Sequence, residues 1–109
     1  MAWLVRDGEV LATLEVAELA TARSKGLLGR DGIEGALFLQ PAKSVHTIGM
    51  RFPIDVAHLD RDLVVLRTCT MRRWRLGRMV LKSSAILEAE AGTFAHWELK
   101  PGDQLEIKP

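Results

Sequence analysis

The sequence predicts a mainly β domain of the α+β kind: a small β-sandwich or partly closed barrel with one short helix near its rim. Three observations carry that expectation. Turn signals recur between short apolar stretches, at Asp7-Gly8, Asp31-Gly32, Asp60-Arg61-Asp62 and Pro101-Gly102-Asp103. Segments that read as strands far outnumber those that read as helices. Some of those strands are apolar on both faces, so the sheet must close or be covered to hide them.

The elements follow in order. Asp7-Gly8 lies between the apolar-rich arms Trp3–Arg6 and Glu9–Val16. Asp-Gly suits the positive-φ positions of a type I′ turn, which predicts a hairpin. In the second arm Val10, Ala12, Leu14 and Val16 alternate with more polar residues, so one face is buried and the other mostly wet. The period changes over Glu18–Leu28, where Leu19, Ala22 and Leu27 fall at helical spacing, Thr21 offers a cap and Gly29 suits the position past the helix end. Gly26 inside that helix costs about 1 kcal/mol relative to Ala. From Gly35 onward the reading is β. Strands are expected at Ala36–Leu39, Val45–Met50, Ile54–Leu59 and Leu63–Thr68, with Pro53 marking a bend or an edge. Met71–Lys82 is basic and aperiodic, hence a long loop. Ala85–Ala91 alternates as a strand, Thr93–Leu99 reads as a short helix or turn, and Gln104–Ile107 as the last strand.

With 109 residues, 48% apolar and 27% charged, the chain has the composition of one folded domain spanning 1–109. The single cysteine, Cys69, excludes an intramolecular disulfide. No apolar run approaches the ~20 residues of a spanning helix, and Met1–Gly8 lacks the basic and apolar regions of a signal peptide. A cytoplasmic protein without membrane contact is the expectation. The net charge of +1 conceals an uneven distribution. Residues 63–82 hold Arg67, Arg72, Arg73, Arg75, Arg78 and Lys82 and no acid, whereas 83–109 hold Glu88, Glu90, Glu98, Asp103 and Glu106 against Lys100 and Lys108. Opposite fields at two ends favour self-complementarity as much as an outside partner, so a monomer or weak homodimer is expected.

Three segments carry a resemblance. They are Ala22-Arg23-Ser24-Lys25-Gly26-Leu27-Leu28-Gly29-Arg30; His46-Thr47-Ile48-Gly49-Met50-Arg51-Phe52-Pro53-Ile54-Asp55-Val56 with Leu59-Asp60; and Leu87-Glu88-Ala89-Glu90-Ala91-Gly92 with Gly102-Asp103. In this order they resemble domain-of-unknown-function family 192. The resemblance implies a mostly β fold and no reaction. Two positions depart from the family pattern: His58, where an aromatic residue is usual, and Gly49, where a bulky or polar one is common. Many members of the family are exported behind a signal sequence.

His46, Arg51 and Asp55 form the sharpest chemical set. An oriented histidine can act as a general base, and arginine can hold an anion by two parallel hydrogen bonds. The competing structural roles are a turn cap or an ion pair with Arg51 or Arg30 for Asp55, and a backbone hydrogen bond for His46. His58 shares a face with Ile54 and Val56 and reads as a buried, hydrogen-bonded histidine. The histidines and Cys69 show no metal-ligand spacing, so no metal and no cofactor is expected. Cys69 reads as a buried, inert thiol. Met71–Arg78, with Trp74 among its arginines, has the ingredients of nucleic-acid contact. The near-neutral chain and its few aromatics argue instead for a solvated loop that pairs with the acidic C-terminal third. The favoured function is a binding module for a small anionic ligand or a partner's peptide at a rim built from Arg30, His46, Arg51, Asp55 and Glu88. The alternative is a small hydrolase or isomerase-like enzyme with His46 as base and Asp55 as its orienter.

Overall fold

The computed structural model describes residues 2–17 and 26–109. Its elements are β1 (Ala2–Arg6), β2 (Glu9–Ala17), β3 (Ala36–Leu39), β4 (Ile54–Leu59), β5 (Val65–Met71), β6 (Ala85–Glu90), α1 (Thr93–Trp97) and β7 (Glu106–Lys108). All seven strands belong to one sheet in the order β5-β4-β6-β3-β2-β1-β7. β2 and β3 run parallel, and the other neighbours are antiparallel. The sheet curls until its two edges meet at one point. Val64 bridges Gln104, Val65 N–H donates to the Asp103 carbonyl at 2.9 Å, and Leu105 N–H donates to the Leu63 carbonyl at 3.0 Å. The ladder does not continue around the circle, so the barrel is partly closed.

The pleat sends alternate side chains to two separate apolar cores. Leu4, Leu14, Phe38, Ala57, Leu59, Leu87 and Leu105 fill the inner one, on the concave face of the curled sheet, together with Phe94 of α1. On the opposite face Leu37, Leu39, Ile54, Val56 and Ile86 are covered by Leu27, Met50 and Phe52 from the connecting segments. Residues 26–30 and 46–53 therefore meet through apolar atoms. A Cβ added at Gly49 would stand 3.3 Å from Leu28 Cδ2.

The first hairpin forms as expected, with Asp7 at φ 51° and Gly8 at φ 78°, both in the left-handed region an I′ turn requires. Four expectations are corrected. Val45–Met50 is not a strand; it contributes one isolated bridge, His46 to Leu76. Gly26 sits at φ 48° in a turn, not in a helix interior. The last strand begins later than expected, at Glu106. The expected strand Leu63–Thr68 is displaced to Val65–Met71 because the β4–β5 register shifts between His58 and Leu59. That bulge at Leu66 sends Val65 into the inner core while Arg67, Cys69 and Met71 face the outer one. The part of the expected helix Glu18–Leu28 that precedes Gly26 lies outside the described residues.

Candidate functional site: an arginine-lined groove

The polar residues expected to share one rim do not converge. Asp55 is 3% exposed and points to the inner face, beside Ala57 and Leu59. One carboxylate oxygen accepts from Thr70 Oγ1 at 2.6 Å; the other accepts from the N–H groups of Gly92 at 3.0 Å and Phe94 at 2.9 Å. It lashes the start of α1 to the sheet. Glu88, paired in register with Val56 and Leu37, points to the opposite face. Arg30 makes a two-pronged ion pair with Glu15, both bonds 2.9 Å, which holds the Glu15 carboxyl below its ordinary range. Arg51 pairs with Asp31 at 3.1 Å on the exposed surface. His46 is exposed, and its Nδ1 accepts from the Ile48 N–H at 3.2 Å. No hydrogen bond joins His46 to Asp55, and neither lines a described depression.

The structure builds a different site around a residue inside the same motif. Thr47 is fully buried and acts as a hub for the basic loop. Its N–H donates to the Arg75 carbonyl at 2.8 Å, and its hydroxyl donates to the Arg72 carbonyl at 2.6 Å and accepts from the Arg75 N–H at 2.8 Å. Its own carbonyl accepts from the N–H of Trp74 at 2.9 Å. Further bonds extend the seam: Gly77 N–H to the Val45 carbonyl at 2.8 Å and Val80 N–H to the Lys43 carbonyl at 3.0 Å. Gly77 is required there because a Cβ would collide with the Val45 carbonyl oxygen. The loop is thus a strap sewn along residues 43–47, not a free solvated segment. Nor does it pair with the acidic C-terminal third. The ion pairs among the described residues are Arg6–Asp103, Arg30–Glu15 and Arg51–Asp31.

Between this strap and β5 lies an open groove of about 460 Å³ lined by Arg67, Arg72, Arg75 and Arg78 together with Cys69, Thr70 and Met71, and no carboxylate is among its lining residues. Cys69 is half-buried on its wall, not sealed in the core as expected. Across the strap a second depression, of about 470 Å³, is formed by Pro53 and Arg72–Arg75, so the strap is a ridge between two basic hollows. Trp74 crowns that ridge, 61% exposed and at φ 62°.

Beneath the groove the sheet carries three buried side-chain nitrogens, on Arg67 and His58, without a hydrogen bond. Arg67 Nη1 is buried and has no acceptor. His58 stands directly opposite Arg67 in the β4–β5 register and is 1% exposed. The ring is buried as expected, and neither of its nitrogens makes a hydrogen bond of good geometry. Burial lowers its pKa, and the charge of Arg67 lowers it further. The backbone of Arg78 and Lys43 lies near the ring and opposes that shift, without reaching hydrogen-bonding geometry. Glu88 is diagonal to His58 across β4 and β6, 2% exposed, and burial pushes its carboxyl up to about 7. Sequence reasoning flagged the basic run but passed over Thr47 and Arg67. The His-Thr step beside an acid-free basic loop was the available signal for Thr47; only the bulge reveals where Arg67 points.

The chain belongs to the domain-of-unknown-function family 192, described as "Uncharacterized ACR", whose model matches residues 2–107. No curated protein matches it. Two solved structures share its fold. One is a protein of unknown function from Novosphingobium aromaticivorans DSM 12444, with a TM-score of 0.82 and 19% identity over 96% of this chain and 82% of the other. The second, from Sinorhizobium meliloti 1021, is described as a "putative transcription regulator"; its TM-score is 0.78, with 18% identity over 97% of this chain and 91% of the other.

Proposed function

We propose that this member of the family is a non-enzymatic binding module whose groove between β5 and the strap takes an anionic group, carried by a small molecule or by an acidic partner peptide. One observation carries the reading: four arginines surround one depression and none is paired with a carboxylate, whereas Arg6, Arg30 and Arg51 each are. Guanidinium groups in a concave, partly desolvated wall bind oxyanions more strongly than the same groups on an open surface. The Thr47 hub fixes the backbone on which Arg72 and Arg75 stand, so binding has only their side chains left to order. The expected rim thus moves from Arg30 and Arg51, whose charges are already engaged, to Arg67, Arg72, Arg75 and Arg78.

The test is a titration with a glutamate-rich peptide and with inorganic phosphate, followed by backbone amide shifts and by melting temperature. Shifts should cluster at residues 67–78, and Arg72→Ala with Arg75→Ala should abolish them while Arg30→Ala leaves them intact. If neither probe perturbs the groove at low salt, the reading fails.

A second reading rests on Trp74, exposed between Arg73 and Arg75, which offers a stacking face beside cations. The fold's occurrence in a protein described as a transcription regulator is compatible with it. A single-stranded oligonucleotide in the same titration decides the matter: binding with a steep salt dependence, lost in Trp74→Ala, favours nucleic acid over a discrete anion.

A further inference from the structure

We infer that the floor of this groove is a subsite for one doubly charged oxyanion of the phosphate or sulfate type, held by the Arg67 guanidinium and coupled to proton uptake by His58 beneath it. The inference rests on the groove reading above and names its ligand class. Its own support is a separate observation, the set of unmet polar atoms behind the groove wall. Arg67 Nη1 and both nitrogens of His58 are buried without partners on directly opposed residues of β4 and β5. Buried polar groups are nearly always satisfied, and the exceptions call for an explanation. A tetrahedral dianion has several acceptor oxygens and matches a guanidinium fork. One oxygen brought to Arg67 supplies an acceptor that the protein leaves out.

The coupling to His58 follows from what faces its ring. From β5 comes the charge of Arg67; from the strap and its seam come the backbones of Arg78 and Lys43; from β6 comes Glu88, diagonal on the same face. In the empty groove the Arg67 charge opposes protonation of the ring. A bound dianion offsets that charge, and the backbone groups of Arg78 and Lys43 already favour the protonated form. Binding should therefore draw a proton onto His58, and lower pH should tighten binding. Glu88 is the other group here that titrates near neutrality, so its contribution must be separated.

The experiment is isothermal titration calorimetry of the intact protein with inorganic sulfate, which does not titrate near neutral pH, in buffers of differing ionisation enthalpy. Inorganic phosphate serves as the second probe. Binding should take up protons and should strengthen as pH falls below the ordinary histidine value of about 6.5. Arg67→Lys keeps the charge but loses the fork, and should weaken sulfate binding at least about tenfold. His58→Phe and His58→Gln should abolish the uptake while retaining binding at high pH; the first replaces an unbonded buried ring by an apolar one and so preserves folding. Glu88→Gln should leave the uptake in place. Sulfate binding that is indifferent to Arg67→Lys, or proton uptake that survives both His58 variants, overturns the subsite. Failure of sulfate and phosphate to bind where the glutamate-rich peptide still does overturns the subsite and spares the groove reading. If no probe binds, both fall.

Discussion

Glu88→Gln should gain stability relative to the wild type as pH rises from acid to alkali. Glu88 sits at the centre of β6 between Val56 and Leu37, 2% exposed, and its carboxyl is pushed by burial from the ordinary 4.5 up to about 7. The cause is loss of water around the charged form; no compensating partner offsets it. At 1.36 kcal/mol per pH unit, the interval from 4.5 to about 7 amounts to about 3 kcal/mol. The sign follows from proton binding. The folded chain holds this proton more tightly than the unfolded chain, so the stability it confers is complete below 4.5 and declines as pH rises to about 7. Above that it is gone and the curve flattens. Glutamine keeps the shape and removes the charge. Its unpartnered amide adds an offset that does not vary with pH. Urea unfolding of both proteins from about pH 4 to pH 8.5 reads the difference. His58, whose lowered pKa makes stability rise with pH up to about 6.5, enters both curves and cancels. The variant's lead should grow by about 3 kcal/mol across the series. A difference that stays constant with pH, or a wild type that gains on the variant in alkali, would show that the carboxylate has a stabilising partner and would refute the argument.

Other outcomes follow from the same geometry. Asp55→Asn should cost about 2–3 kcal/mol in urea unfolding, because it cannot accept from Thr70, Gly92 and Phe94 together, and should speed amide exchange at Gly92 and Phe94 first. Arg30→Ala and Arg51→Ala should each change stability by less than about 1 kcal/mol by the same measurement, since both ion pairs lie in water. Gly77→Ala should cost roughly 2 kcal/mol by pushing the strap off the Val45 carbonyl, with amide shifts spreading along residues 72–80 and weaker anion binding in the groove.

The strands legible in the sequence were those whose own pleat decides their burial. β1 and β2 are joined by Asp7-Gly8, whose backbone preference fixes the hairpin; β4 and β6 are buried on both faces because an apolar core lies on each side of the sheet there. β5 was shifted because a bulge at Leu66 reverses the parity between Val65 and Arg67, and one extra residue leaves no mark in an apolar run. Val45–Met50 looked extended as a short, partly apolar run between turn signals, yet its backbone bonds go to the strap through Thr47 and Val45. The site misled for the same reason. The expected rim took Asp55 and Glu88 together, but register sets them on opposite faces of neighbouring strands: Asp55 pairs with Ala89, and Glu88 with Val56.

What separates the arginines of this protein is what the fold lets them reach. Arg6 closes on Asp103 and the Trp97 carbonyl, tying β1 to the turn before β7; Arg30 and Arg51 find carboxylates on neighbouring segments. Arg67, Arg72, Arg75 and Arg78 are gathered where no acid lines the wall, two of them standing on backbone that Thr47 fixes by hydrogen bonds to the chain and not by charge. Arg72, Arg75 and Arg78 are exposed and Arg67 is half-buried, so their mutual repulsion is screened by water most at the strap and least at Arg67. The strap is held by neutral hydrogen bonds and needs none of the four cations to stay in place. An anion in the groove would offset that repulsion, which is the physical content of the proposed function. The same burial that leaves Arg67 Nη1 without an acceptor makes each new bond to that guanidinium worth more there than on an open surface.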